Sequence, residues 1–205
     1  VLYENEDGDY VADGDLLNSA AFWEFDDDTL QDVAEMLPTV LTWEDKINML
    51  NQGKDFAGND IDVNSEEYIA LLNEIMDVEE TLKYFATHSF IVQQDNMFDN
   101  FQNYALYIGE DGKSVMVPWD YDLGWGTYYD PCDAESVANN ALDVMYSMYF
   151  NGYGDMTTEE VYAKFPLVNV LFQNKKLWGK YYEYMEDCAK IAALGGTTTD
   201  GVSYE

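Results

Sequence analysis

Residues Asp95 to Gly126 read DNMFDNFQNYALYIGEDGKSVMVPWDYDLGWG, and the fold turns on how this stretch is read. Tyr104, Leu106 and Ile108 alternate with Ala105 and Tyr107, and Val115 and Val117 alternate with Ser114 and Met116. Period-two alternation is the mark of a strand with two unlike faces. Between the two runs lies Glu110-Asp111-Gly112-Lys113, whose Asp-Gly pair supplies the positive φ that a tight hairpin turn requires. The spacing therefore predicts a hairpin over 103–119. A hairpin returns the chain to its start, so Asn103 and Asp120 are expected within a few ångströms of each other. Asp95 lies upstream and Asp122 two residues beyond Asp120.

The remaining composition bounds what such a stretch can serve. The chain has 205 residues, long enough for one domain or part of a larger one with a real core. An apolar content of 47% excludes a disordered chain despite a net charge of −32. Its 41 acidic residues face 9 basic ones, all of them lysine. Such a surface repels nucleic acid and anionic membrane, and no run is apolar enough to span a bilayer. An anionic ligand would need metal ions or backbone amides to cancel the local field. No signal peptide is visible, and the opening Val1-Leu2-Tyr3 reads as the start of an excised piece. Cys132 and Cys188 lack metal-site spacing; a single disulfide and two buried thiols both remain open.

Residues 1–28 read as an acidic, turn-rich lead-in. The EF-hand spacing fails there, because with Gly8 at the glycine position the first ligand would be Tyr3. Helix signals then follow in series. Asp28 is placed to cap a helix from Thr29 to Leu37, stopped by Pro38, and Thr42 to cap a second from Trp43 to Gln52. Asn64, with Glu67 three residues on, opens a helix striped by Ile69, Leu72 and Met76. Asp77, with Glu80 three on, opens another whose Leu82, Phe85, Ser89 and Val92 face inward as far as Gln94. His88, the only histidine, lies inside it and has no partners for a Ser/His/Asp, Cys/His or zinc set, so it reads as a core residue. Beyond the hairpin, Asp133 is placed to cap a helix to Phe150, Thr157 and Glu160 form a capping box, and Pro166 starts a turn. A last helix spans Lys175 to Leu194 with Leu177, Trp178, Tyr181, Met185 and Cys188 on one face. The tail after Gly195-Gly196 reads as loose. The fold class is α+β, mainly α.

Two carboxylates and an amide at the ends of a hairpin suit a hard cation such as magnesium, which takes oxygen ligands and leaves room for phosphate and water. A further carboxylate standing apart can orient a substrate hydroxyl and accept its proton. That is the division of labour in phosphoryl transfer, where the protein mainly places groups and neutralises charge.

Asp95, Asn103-Tyr104-Ala105-Leu106-Tyr107 and Pro118-Trp119-Asp120-Tyr121-Asp122, followed by a short loop ending in Gly126, resemble the signature of the CotH kinase family of spore-coat-type atypical kinases. The likeness covers most of the chain and is strongest over Asp77–Gly126. It implies a protein-kinase-like C-terminal lobe of packed helices whose hairpin carries the metal-binding residues, with the nucleotide-binding strands upstream of Val1. It implies Asp95 as catalytic base, Asn103 as a metal-side amide, Asp120 as principal metal ligand and Asp122 as a supporting carboxylate. ATP and Mg2+ or Mn2+ would be the cofactors, and Ser or Thr of secreted, cell-surface or spore-coat proteins the acceptors. Gln94 and Gln102 depart from the residues often found there, and Asp99 competes with Asp95 for the role of base. Two other readings stand beside this one. A non-catalytic scaffold or binding module of a larger extracellular protein is the first. The second, a carboxylate-pair glycoside hydrolase, has no pattern pointing to it. The substrate, the oligomeric state and the preferred metal are not encoded in any legible motif.

Overall fold

In the computed structural model, residues 2–4, 10–12, 30–91, 93, 103–109, 111–122, 124 and 165–193 are described. The helix α3, Val78–Phe90, is the beam to which the other parts attach. It starts where the capping pattern places it: the Asp77 carboxylate accepts the Glu80 amide at 3.0 Å. Leu82, Phe85 and Ser89 are buried as the stripe requires. The helix ends at Phe90 rather than running on to Gln94, with the Ile91 amide donating to the Thr87 carbonyl. Val92 and Gln94 lie outside the described residues.

Upstream, β1 (Leu2–Glu4) pairs antiparallel with β2 (Tyr10–Ala12) inside the acidic lead-in. Helix α1 then spans Leu30–Asn51 without a break, where the sequence predicts two helices divided at Pro38. Thr42 does not cap a second helix; its hydroxyl donates to the Pro38 carbonyl at 2.8 Å, one turn back within the same helix. Proline removes one backbone donor but does not forbid continuation where packing holds both flanks. Here the C-terminal flank is fixed by buried Val40, Trp43, Ile47 and Leu50, and the Trp43 indole donates to the Ile75 carbonyl at 2.8 Å. The Asp28 cap lies outside the described residues.

Helix α2 spans Glu66–Ile75. Its cap is Ser65, whose hydroxyl accepts the Tyr68 amide at 3.1 Å, one residue after the expected Asn64. The Asn64 side chain is used elsewhere, accepting the Lys175 amide at 3.1 Å. Downstream, α4 (Pro166–Phe172) carries its proline in the first turn, and α5 (Lys175–Ala192) is capped by Asn174, which accepts the Lys176 and Leu177 amides. The buried faces of α5 are Leu177, Tyr181, Tyr184 and Met185; Trp178 and Cys188 sit at the margin. Cys188 is a free thiol 3.9 Å from the Thr87 hydroxyl, and Cys132 lies outside the described residues. The helices and capping box predicted between Asp133 and Glu160 lie there too.

The core gathers one face of each helix. Phe172 meets Tyr181 edge-on at 5.1 Å and Trp178 at 4.9 Å, and lies 6.1 Å from Phe85. The Tyr68 hydroxyl donates to the Val170 carbonyl at 2.7 Å and accepts from the Gln173 amide. Burial pushes the Tyr68 phenol up to about 12, so it stays a donor. No helix among the described residues is long and apolar enough to cross a membrane.

Candidate functional site at the end of the hairpin

The hairpin forms as its alternation dictates. Strand β3 (Tyr104–Ile108) pairs antiparallel with β4 (Ser114–Pro118), setting Tyr104 opposite Pro118 and Ile108 opposite Ser114. Of the Asp-Gly pair only Gly112 takes positive φ, +77, and it stands at the last position of the turn, its amide donating to the Gly109 carbonyl at 2.9 Å; the loop is therefore longer than a two-residue Asp-Gly turn. Tyr104, Leu106, Ile108 and Met116 pack on the helical core. The valines take the opposite face, leaving Val117 42% and Tyr107 61% exposed, with Trp119 46% exposed just past the strand.

Two ties fix this ribbon to α3. At one end the Asp77 amide donates to the Ser114 carbonyl at 2.9 Å. At the other, the Gln93 side-chain amide donates to the Asp120 carbonyl at 2.8 Å. The spans match. About 1.5 Å per helical residue carries the chain roughly 20 Å from Asp77 to Phe90. About 3.3 Å per strand residue carries it roughly 20 Å from Ser114 to Asp120. The strand therefore lies along the helix, and the predicted metal ligands emerge beyond the helix's C-terminal end.

Asn103 and Asp120 flank the ribbon at this end, one and two residues outside the Tyr104–Pro118 pair. Both adopt left-handed backbone, with φ +55 and +54, and no other non-glycine residue among those described does so. Asn and Asp tolerate this region better than other side chains but still at some cost. Paired outliers of this kind mark places where the chain bends abruptly to aim a side chain. Asp120 and Asp122 are exposed and Asn103 is half-buried. The hairpin thus brings Asn103 and Asp120 to one end, with Asp122 in the turn that follows, where the Gly124 amide donates to the Tyr121 carbonyl at 3.1 Å. Asp95 and Asp99 lie outside the described residues, as do Gln94 and Gln102. Among the described residues no three His, Cys, Asp or Glu side chains converge on one point. Asn103, Asp120 and Asp122 supply two carboxylates and an amide, a set of hard oxygen donors of the kind magnesium accepts.

Beneath this end lies an aromatic floor. His88 is buried, its Nδ1 at 2.9 Å from the Tyr84 carbonyl and its ring 3.9 Å from that of Tyr84 and 5.0 Å from that of Tyr121. Burial pulls the His88 pKa down to about 4, so the ring is neutral and Nδ1 carries the proton donated to Tyr84. Burial likewise pushes Tyr121 up to about 12 and raises Tyr84 and Tyr104. The floor is uncharged at neutral pH. His88 is accordingly a packed core residue beneath Tyr121.

Sequence reasoning missed Gln93. It is buried, its backbone amide donates to the His88 carbonyl at 2.9 Å, and its side chain reaches Asp120. The available signal was the first of two adjacent glutamines at the helix end, where the family resemblance bears only on the second, Gln94.

This arrangement sits inside a chain with identifiable relatives. Inner spore coat protein H of Bacillus subtilis (strain 168) is 29% identical over 133 residues, covering 60% of this chain and 36% of its own length. The chain thus spans little more than a third of that curated relative. No solved structure matches. The family described as CotH kinase protein matches residues 3–192, which takes in both strands of the hairpin, the Asn103 and Asp120 bends and all five described helices. On that extent of agreement the chain belongs to the CotH kinase family.

Proposed function

We propose that this chain is the metal-binding and catalytic part of an atypical protein kinase, which transfers the γ-phosphate of ATP to Ser or Thr of secreted or spore-surface proteins. The observation that carries the reading is the pair of left-handed bends at Asn103 and Asp120, at one end of a hairpin, in a member of a kinase family. Asp120 and Asp122 would hold Mg2+ or Mn2+ with Asn103 beside them, and a cation there would offset phosphate charge that a chain of net charge −32 otherwise repels. Asp95 would orient the acceptor hydroxyl and take its proton. The lobe would then be kinase-like, with helices supporting the ribbon. A spore-coat or cell-surface setting follows the printed name of the relative and suits an acidic surface.

The test is phosphate transfer from γ-labelled ATP to a Ser/Thr protein by the whole protein that carries this chain. Asp120→Ala should abolish both transfer and the rise in Tm given by Mn2+ with ATP. Asp95→Ala should stop transfer while leaving most of that rise. A melting curve indifferent to metal and nucleotide, with no transfer, would instead support the non-catalytic scaffold reading.

A further inference from the structure

The two ties between hairpin and α3 differ in kind. At Ser114 the bond is backbone to backbone, so any residue could supply it. At Asp120 it is made by one side chain, Gln93, and depends on that residue's identity. Gln93 is 2% exposed, so its amide has little water to turn to. The group it holds is the carbonyl of a residue in left-handed backbone, where a small rotation would redirect the carboxylate. The next turn lies against the same side chain. A Cβ on Gly124 would lie 3.3 Å from the Tyr121 carbonyl, 3.4 Å from Gln93 Oε1 and 3.5 Å from the Ile91 carbonyl, so the loop packs closely on Gln93. His88, one turn earlier, supports Tyr121 between the two acids. Asp120, Tyr121 and Gly124 are thus all seated on the last turn of α3 and the residues just after it. Gln93 also stands two residues before Asp95 in sequence.

We infer that Gln93 is a positioning residue, fixing the carboxylate of Asp120 for its cation. The inference rests on the metal-site reading above. It extends that reading to a residue that touches neither metal nor nucleotide. Groups that orient metal ligands in this way typically matter about tenfold to a hundredfold in metal affinity.

The experiment measures Mn2+ affinity of the protein by electron paramagnetic resonance, for the wild type and for Asp120→Ala, Gln93→Met, Gln93→Asn and Leu82→Val. Gln93→Met keeps the length of the side chain and removes its donor. Gln93→Asn keeps the amide but withdraws it by one methylene, and serves if the first variant folds poorly. Both should weaken Mn2+ binding about tenfold or more, and in steady state should raise the KM for metal–ATP by a larger factor than they lower kcat. Leu82→Val trims the core on the same helix; it should lower Tm yet leave Mn2+ affinity unchanged. Wild-type affinity in both Gln93 variants would overturn the positioning role while leaving the metal site standing. A loss in Leu82→Val equal to that in the Gln93 variants would reduce Gln93 to a structural residue. A wild type that binds no Mn2+, or an Asp120→Ala variant that binds it equally well, would remove the metal site and this inference with it.

Discussion

The helical body and the outer end of the hairpin obey opposite rules. In the body no described non-glycine residue takes positive φ, and buried polar groups such as those of Tyr68, Val170 and Gln173 join in one hydrogen-bonded chain. At the hairpin's end the backbone is forced left-handed at Asn103 and Asp120, acids stand in solvent, and Trp119 and Val117 expose apolar surface. The first arrangement minimises free energy locally. The second costs some free energy locally and is held in place by the first, through α3. On the proposed reading, stability and metal binding therefore depend on different residues, and substitutions should separate them.

The largest expected effect is in the body. Phe85→Ala, which empties a fully buried ring site facing Phe172, should cost about 3–5 kcal/mol of unfolding free energy in chemical denaturation. If the protein retains its fold at lower temperature, the metal affinity of the remaining native molecules should be little changed. A parallel loss of affinity would break the division between the two regions.

Next is the histidine that lies where they meet. The folded His88 pKa of about 4 is below the ordinary 6.5. The unfolded chain thus takes up a proton that the folded chain refuses. The resulting stability is fully present above pH 6.5 and is lost as pH falls from there through about 4, in total about 3 kcal/mol. Comparison with His88→Phe isolates it from the relief of repulsion among the acids. The stability difference between wild type and variant should shift steadily over that interval and stay flat above it.

The smallest effect on stability is the most diagnostic for function. Glycine accepts positive φ without penalty, so Asp120→Gly and Asn103→Gly should leave Tm unchanged or raise stability by up to about 1 kcal/mol. Asp120→Gly should nonetheless lower phosphate transfer about a hundredfold or more. Loss of both stability and activity would mean that these carboxylate and amide groups serve the fold rather than a ligand.

The degree to which each feature was legible follows from the range of the forces involved. Alternation and a glycine at the turn are local, and they defined the hairpin; the Asp77 cap is equally local and stands where the sequence puts it. Pro38 misled because its local signal is real, while the packing of Trp43, Ile47 and Leu50 that overrides it comes from distant residues. Asn64 and Ser65 are equivalent capping candidates by type, and only the approach of Lys175 drew Asn64 away.

By itself, the sequence determined that two strands return on each other and so bring Asn103 and Asp120 to the same end, because side-chain alternation and turn chemistry act over a few residues. It also carried the family motif. Tertiary structure alone decided which face of the ribbon is buried, leaving the valines outside and Met116 within. It also decided that Gln93 rather than its neighbour holds Asp120. Those choices depend on how a strand of about 20 Å lies along a helix of the same length, and no pattern within either segment specifies that fit.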